Sequence, residues 1–205
     1  MADLVKFRRI RWVALVAIAV GIVTVVLLQT GGAPRSSLPT LGAIPEFSLT
    51  AEDGRTITRD EFMGKISITD FIFTHCAGSC PGMTAQMASL QTLLGHYGEV
   101  QLVSISVDPE RDTLEVLKNY AKSAGAQPGR WIFLTGEKKT LHQLVRNGFR
   151  LGVEEGGGSA AEPIIHSSLF VLLDRRARIR GYYDGSEDEG ARRLERDIEL
   201  LVGER

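Results

Sequence analysis

The chain has 205 residues, 43% hydrophobic and 24% charged, with 24 Lys and Arg against 25 Asp and Glu for a net charge of −1. That length accommodates one domain and a tail. A balanced charge without any base-reading motif sets aside nucleic-acid recognition.

Residues 1–11 form a basic N-terminal segment in which Lys6, Arg8, Arg9 and Arg11 cluster. The uncharged run Trp12 to Leu28 follows. As a helix it would span about 26 Å, slightly short of a hydrocarbon core of about 30 Å. Trp12 at the interface and a snorkelling Arg11 would close most of the gap. Residues 12–28 are therefore expected to be a single-pass anchor in the inner (cytoplasmic) membrane. The basic cluster keeps the N-terminus cytoplasmic and sends the rest to the periplasm or another extracytoplasmic space. A cleaved signal peptide is the alternative, since Gly31, Gly32 and Ala33 place small residues after the run. No cysteine follows closely, which argues against a lipoprotein anchor. Either way the domain is exported. Setting aside Asp3 and the basic cluster leaves 20 basic and 24 acidic residues, a mildly acidic domain with no pull toward anionic lipid.

Residues 29–45, rich in Gly, Pro and Ser, read as a linker, and residues 46–205 as the globular domain. The stretch Phe47 to Thr58 alternates apolar and polar residues around Asp53-Gly54, a hairpin signal. "KISITDFIFT" suits a buried strand and runs straight into a loop holding both cysteines, Cys76 and Cys80. After Pro81, residues Met83, Met87, Leu90 and Leu94 fall on one helical face. "VQLVSISVD" is a second buried strand. "DPERDTLEVLKNYAKSAG" reads as a helix from its Asp-Pro start to Gly125, with Leu114, Leu117 and Tyr120 on one side. "RWIFLTG" is a third strand and "EKKTLHQLVRNGF" a third helix. The flexible stretch "GVEEGGGSAAEP" then leads to a strand pair, "IIHSSLFVLLD" and "ARIRGYYDG". A last helix opens with Ser186 and Glu189 in capping-box spacing and buries Leu194, Ile198 and Leu201. This order is an α+β or α/β layer plan. A cysteine loop between a central strand and a helix start is the signature of a thioredoxin-like domain. The expected fold is a central sheet flanked by helices, preceded by an N-terminal β-hairpin and a single transmembrane helix.

Two cysteines in an oxidising compartment tend to pair unless a reductant or a metal intervenes. A helix N-terminus favours thiolate over thiol, so the loop suits an activated dithiol. The Cys-x-x-x-Cys spacing brings the two Cα atoms to about 6 Å in helical geometry, which permits a disulfide and equally a bidentate chelate. Spacing alone leaves redox and metal chemistry both open. A structural staple closing so short a loop would stabilise weakly.

A third ligand would mark a metal site, and four histidines are candidates: His75, His96, His142 and His166. His96 and His142 fall at helix ends among polar residues and read as solvated. His75 leaves the backbone in a different direction from the adjacent Cys76, and reads as an electrostatic neighbour. His166 opens an apolar strand, where a histidine serves either the core or a ligand set. Met83 and Met87, by their spacing, read as core residues and not thioether ligands. Asp70 interrupts an apolar strand and reads as a hydrogen-bonded structural acid, with proton transfer to the dithiol as its sharper alternative. Asp108 before Pro109 is a turn or cap residue. Arg175 to Arg180, "RRARIR", reads as the solvated tip of a strand pair, with docking of an acidic partner as the alternative.

"DFIFTHCAGSCPGMT", "SISVDPERDTLEVLKNYA" and "HSSLFVLLD", in that order behind an anchor, resemble the Sco/SenC family over about residues 43 to 200. The resemblance implies a thioredoxin-like copper protein that delivers copper to, or prepares, the CuA site of cytochrome c oxidase. Carried over by position, Cys76, Cys80 and His166 would hold copper, as Cu(I) or Cu(II). Soft thiolates select Cu(I), and imidazole suits either state. Where the family commonly has proline after the first cysteine this chain has Ala77, and where it has Asp before the histidine this chain has Ile165. Neither change removes a ligand. The implied partners are the oxidase subunit carrying CuA, another copper chaperone or a thiol reductant, and the membrane through the N-terminal helix. The rival is an exported thiol-disulfide oxidoreductase that reduces a partner's cysteines with the same Cys76/Cys80 dithiol. A peroxiredoxin-type peroxidase is more distant, because of its upstream Pro and Thr only Thr74 is present.

Overall fold

The computed structural model describes residues 38–75, 80–151 and 168–204, with Trp12, Ala17, Val20, Gly21 and Thr24 from the N-terminal run. Those five are helical and exposed, and the Thr24 hydroxyl donates to the Val20 carbonyl at 2.8 Å. Most of the expected anchor, Trp12 to Leu28, lies outside the described residues. Among the described residues no helix is long and apolar enough to cross a membrane.

In the globular unit, eight strands form one sheet in the order β1-β8-β7-β4-β5-β6-β2-β3. They are β1 (Gly42–Ala43), β2 (Ser48–Ala51), β3 (Thr56–Thr58), β4 (Ile66–Ile72), β5 (Val100–Ser106), β6 (Trp131–Thr135), β7 (Leu169–Leu173) and β8 (Arg178–Asp184). Strands β4, β5 and β6 run parallel at its centre. Every residue of the three is buried, as parallel strands covered on both faces require. Antiparallel strands flank them: β7 pairs with β4 (Ile68 opposite Leu172), and β2 pairs with β6 (Ala51 opposite Leu134). The β2–β3 hairpin turns at Gly54, whose φ of +87° admits glycine readily, as the Asp-Gly pair predicts.

Helices α1 (Cys80–Leu93), α2 (Leu114–Ser123), α3 (Lys138–Gln143) and α4 (Asp188–Gly203) divide between the faces. Met83, Met87, Leu90 and Leu94 pack with Leu117, Leu194, Ile198 and Leu201 over Ile66, Ile68 and Ile72. The other face carries Phe71, Phe73, Leu141, Leu144, Val145 and Phe149. The period of two along β4 thus splits its side chains between two cores. Phe71 meets Phe149 edge-on at 5.0 Å.

Four details depart from the sequence reading. The end of the expected linker is part of the sheet: β1 pairs with β8, Leu41 N–H donates to Ile179 at 2.8 Å, and Ile44 is buried. Helix α2 begins after Pro109, at Leu114, because the Thr113 hydroxyl caps the Val116 amide, while the Asp108 carbonyl closes a turn onto the Arg111 and Asp112 amides. Ser186 makes no capping box; its hydroxyl and amide both donate to Asp184 Oδ1, at 2.6 and 2.8 Å. The segment Arg175 to Arg180 is not a solvated tip. Arg175 donates to the Leu201 and Val202 carbonyls at the end of α4, where a cation complements the helix dipole. Arg178 and Arg180 bind Asp174, and Arg176 alone of the four arginines is exposed.

Candidate metal centre

The site is framed by the end of β4 and the start of α1. Burial of Phe71 and Phe73 carries β4 to the sheet's C-terminal edge, where Thr74 and His75 turn out toward the surface. Ligands at such edges, beyond the carboxyl ends of parallel strands, are a general property of open sheets with helices on both faces. Cys76 lies outside the described residues, as does His166. Of Cys80 the backbone is described, and it is the first residue of α1, as the loop-to-helix reading predicts.

Asp112 organises the approach to the cysteine loop. Its carboxylate is fully buried and accepts the Thr74 amide at 3.2 and 3.3 Å, the Thr74 hydroxyl at 2.6 Å and the Ser106 hydroxyl at 2.6 Å. Ser106 in turn accepts the Asp108 amide at 3.2 Å. One carboxylate therefore ties the end of β4, the end of β5 and the turn before α2 together. Sequence reasoning passed over Asp112; its signal is the second acid of "DPERD", which reads as a helix-start residue because its partners lie 38 and 6 positions away. Arg111 Nε stands 3.2 Å from Asp108 Oδ2, a partly exposed ion pair beside this knot.

Asp70 lies deeper, on the face of β4 under the helices. Its Oδ1 accepts the Ser104 hydroxyl at 2.6 Å, and Ser104 accepts Trp131 Nε1 at 2.9 Å. Its Oδ2 has no hydrogen-bond partner. Burial pushes its carboxyl up to about 7, against the opposing pull of the Ser104 hydrogen bond. The hydrogen-bonded structural acid expected at this position is there, in a form that favours the proton.

Met83 and Met87 are 2% and 0% exposed within the core, as their helical spacing predicts. His96 is exposed, its ring tilted 43° to that of Tyr97 with centroids 3.8 Å apart and its Nδ1 3.1 Å from the Leu93 carbonyl. His142 is half-buried and not the solvated helix-end residue expected, because α3 runs on past it into a π-helical turn at Leu144–Gly148. His75 is exposed, its Nδ1 3.1 Å from the Thr74 hydroxyl. Among the described residues no group of three or more His, Cys, Asp or Glu is arranged to hold a metal ion. After the second undescribed stretch the chain resumes at Ser168, whose carbonyl accepts the Gly185 amide at 2.6 Å, and enters β7 alongside β4.

A family model for SCO1/SenC matches residues 37–202, nearly the whole globular unit. The chain belongs to the SCO1/SenC family. Among its relatives is the SCO1 protein homolog of Bacillus subtilis, 31% identical over 147 residues that make up 71% of this chain and 75% of the relative. The fold matches BsSco, a member of the Sco family of cytochrome c oxidase assembly proteins in which a disulfide switch is identified. The TM-score is 0.71 at 28% identity, covering 82% of this chain and 99% of that one. It also matches Arabidopsis thaliana ScoI with copper bound, at a TM-score of 0.64 and 28% identity over 77% and 99% of the two chains. The thioredoxin-like architecture read from the sequence is the Sco fold, a mixed sheet flanked by helices.

Proposed function

We propose that this Sco protein binds copper through Cys76, Cys80 and His166 and delivers it to, or prepares, the CuA site of cytochrome c oxidase. The observation that carries this reading is membership of a family with a copper-bound structure, in a chain whose cysteines flank the start of α1. The donor set fits the cargo, since two thiolates and an imidazole are soft enough for Cu(I) and still bind Cu(II). Chain connectivity supports it as well. Cys76 follows His75 directly, within about 4 Å between Cα atoms, and two peptide steps of about 3.8 Å each separate His166 from Ser168. His75 lies three residues past the end of β4 and Ser168 one residue before β7, and the two strands are neighbours with Thr69 opposite Val171. The N-terminal run would tether the domain to the inner membrane, with the copper site in the extracytoplasmic space beside the oxidase.

The test is copper uptake by the full chain purified anaerobically. One copper per chain is expected, with loss of either cysteine abolishing tight binding. His166→Ala should weaken retention by tenfold or more while the dithiol still cycles. Unchanged stoichiometry and spectrum in His166→Ala would sink the three-ligand site.

The second reading, a thiol-disulfide oxidoreductase acting on a partner's cysteines, is favoured by the disulfide switch of BsSco. Mixing the reduced, copper-free chain with an oxidised CuA-domain fragment separates the two. Thiols appearing on the fragment mark electron transfer; copper appearing there only after loading of this chain marks delivery.

A further inference from the structure

Residues 137–147, which form α3 and most of the π-helical turn after it, hold two Lys, one Arg and a single acid, in an exported portion with 20 basic and 24 acidic residues. Lys138, His142 and Arg146 make one row at four-residue spacing, and Lys139, Gln143 and Asn147 a second row beside it. These six line a cavity of about 580 Å³, and each can donate a hydrogen bond. The one carboxylate there, Glu137, is turned back as the cap of α3. It accepts the Lys139 and Thr140 amides at 3.3 and 3.2 Å and the Thr140 hydroxyl at 2.8 Å. What the face offers outward is donors and positive charge. The apolar residues of the stretch, Leu141, Leu144 and Val145, are all buried. Lys138 Nζ lies 3.1 Å from Glu110 Oε1, and Glu110 stands in the turn that the Asp108 carbonyl closes onto Arg111 and Asp112. Asp112 holds Thr74, two residues before Cys76, so the basic face adjoins the approach to the cysteine loop. The globular unit begins at the other edge of the sheet, where Arg180 binds Asp174 in the β7–β8 turn and donates to the Leu38 and Pro39 carbonyls. Because β7 is antiparallel to β4, that turn lies at the N-terminal ends of the parallel strands. The seven residues of β4 put about 20 Å between the two edges.

We propose that this face docks an acidic protein surface, that of the partner receiving copper, with the exposed Lys139 and Arg146 as its central cations. The inference rests on the delivery reading above and names the surface chemistry of the recipient. Carboxylates complement a face of ammonium, guanidinium and amide donors. A protein fits better than a lipid surface on two counts. No large apolar side chain stands out of the face to enter a bilayer, and the chain coming from the N-terminal run joins the sheet at the opposite edge. Charges of this exposed kind act mainly on the rate of association, and salt screens them.

The test follows association of the copper-loaded full chain with a CuA-domain fragment by stopped flow, at about 20 and about 300 mM salt. Lys139→Glu with Arg146→Glu is compared with Lys118→Glu and Lys122→Glu, an equal change of charge at exposed positions of α2. The first pair is expected to slow association and copper transfer about tenfold at low salt and far less at high salt, and the second by less than about twofold. All four positions are exposed, so urea midpoints should stay in place. Equal slowing by both pairs would assign the effect to net charge and overturn the inference, as would no slowing by either. Two further outcomes overturn it when the first pair leaves fragment association unchanged. Protection of residues 137–147 from amide exchange in phosphatidylglycerol bilayers but not in neutral ones would put lipid on the face. A dimer that the first pair converts to monomer would put a second copy there. If the unsubstituted chain neither associates nor transfers copper, the delivery reading fails and this inference with it; if it transfers copper at a rate blind to the first pair, this inference fails alone.

Discussion

Arg180 Nη1 lies 3.0 Å from Asp174 Oδ2, with the two side chains 4% and 6% exposed. The same guanidinium donates to the Pro39 and Leu38 carbonyls at 3.0 and 2.8 Å, so the pair fastens the segment that leads into β1. Burial alone would raise the Asp174 carboxyl, but hydrogen bonds from Arg178, the Arg176 and Arg178 amides and Arg180 hold it below the ordinary value. Its contribution is therefore present above the ordinary carboxylate range and lost as pH falls through it. Arg180→Ala is expected to cost about 1–3 kcal/mol, because it removes the buried guanidinium and its hydrogen bonds while Arg178 and two backbone amides still hold the Asp174 carboxylate. It should also speed hydrogen exchange at Leu41 and Ile44, whose amides bond to β8 and to Ala177. Urea unfolding and amide exchange check both; a loss under 1 kcal/mol would mean that Arg178 alone satisfies Asp174.

Asp70 imposes the opposite pH dependence. Its carboxyl is pushed up to about 7, so its proton favours the native state below the ordinary carboxylate pKa, and that contribution fades as pH rises through 7. Asp70→Asn keeps the acceptor for Ser104 and removes the ionisation. If the two are matched at pH 5, the variant should exceed the parent at pH 9 by up to about 3 kcal/mol, from roughly two pH units between pH 5 and 7 at about 1.36 kcal/mol each. Stability curves at the two pH values decide it, and parallel curves would place the titration elsewhere.

Met87 tests core against ligand. It is fully buried among Ile and Leu side chains, so Met87→Ala should cost about 2–5 kcal/mol in urea unfolding. Cu(I) affinity at a temperature where the variant is folded should be unchanged. A drop in affinity larger than threefold would return Met87 to the ligand candidates.

Gly190 sits where α4 crosses the end of β8. A Cβ there would stand 2.0 Å from the Asp184 carbonyl oxygen, which is backbone and cannot swing aside. Gly190→Ala is expected to cost about 1–3 kcal/mol and lower the thermal midpoint by several degrees. Gly203→Ala, with open space around it, is the matched control.

The sheet was legible wherever strands bury side chains in a pattern. β4 and β5 announce themselves as apolar β-branched runs, the β2–β3 hairpin as alternation around Asp53-Gly54, and α1 as the spacing Met83, Met87, Leu90, Leu94. β1 was not legible, because Gly42 and Ala43 join the sheet through backbone hydrogen bonds that need no particular side chain. The arginines of 175–180 misled for a related reason. Charge at a strand tip suggests water, yet Glu99 and the α4 carbonyls reach Arg175 from distant parts of the chain, and the neighbouring buried Asp174 draws in Arg178 and Arg180.

In the site, residue types and order alone proposed the chemistry: paired cysteines before a helix, a histidine before a later strand, and Sco-like stretches around them. These are local features, since a thiolate's softness and a helix start's dipole belong to a few consecutive residues. The tertiary structure decided what surrounds them. Thr74 and Asp112 are 38 residues apart and meet only because parallel β4 and β5 end side by side, and Asp70 acquires its proton affinity only from burial in the folded core. Hydrogen-bond partners and dielectric are properties of the folded neighbourhood, and no window of sequence contains them.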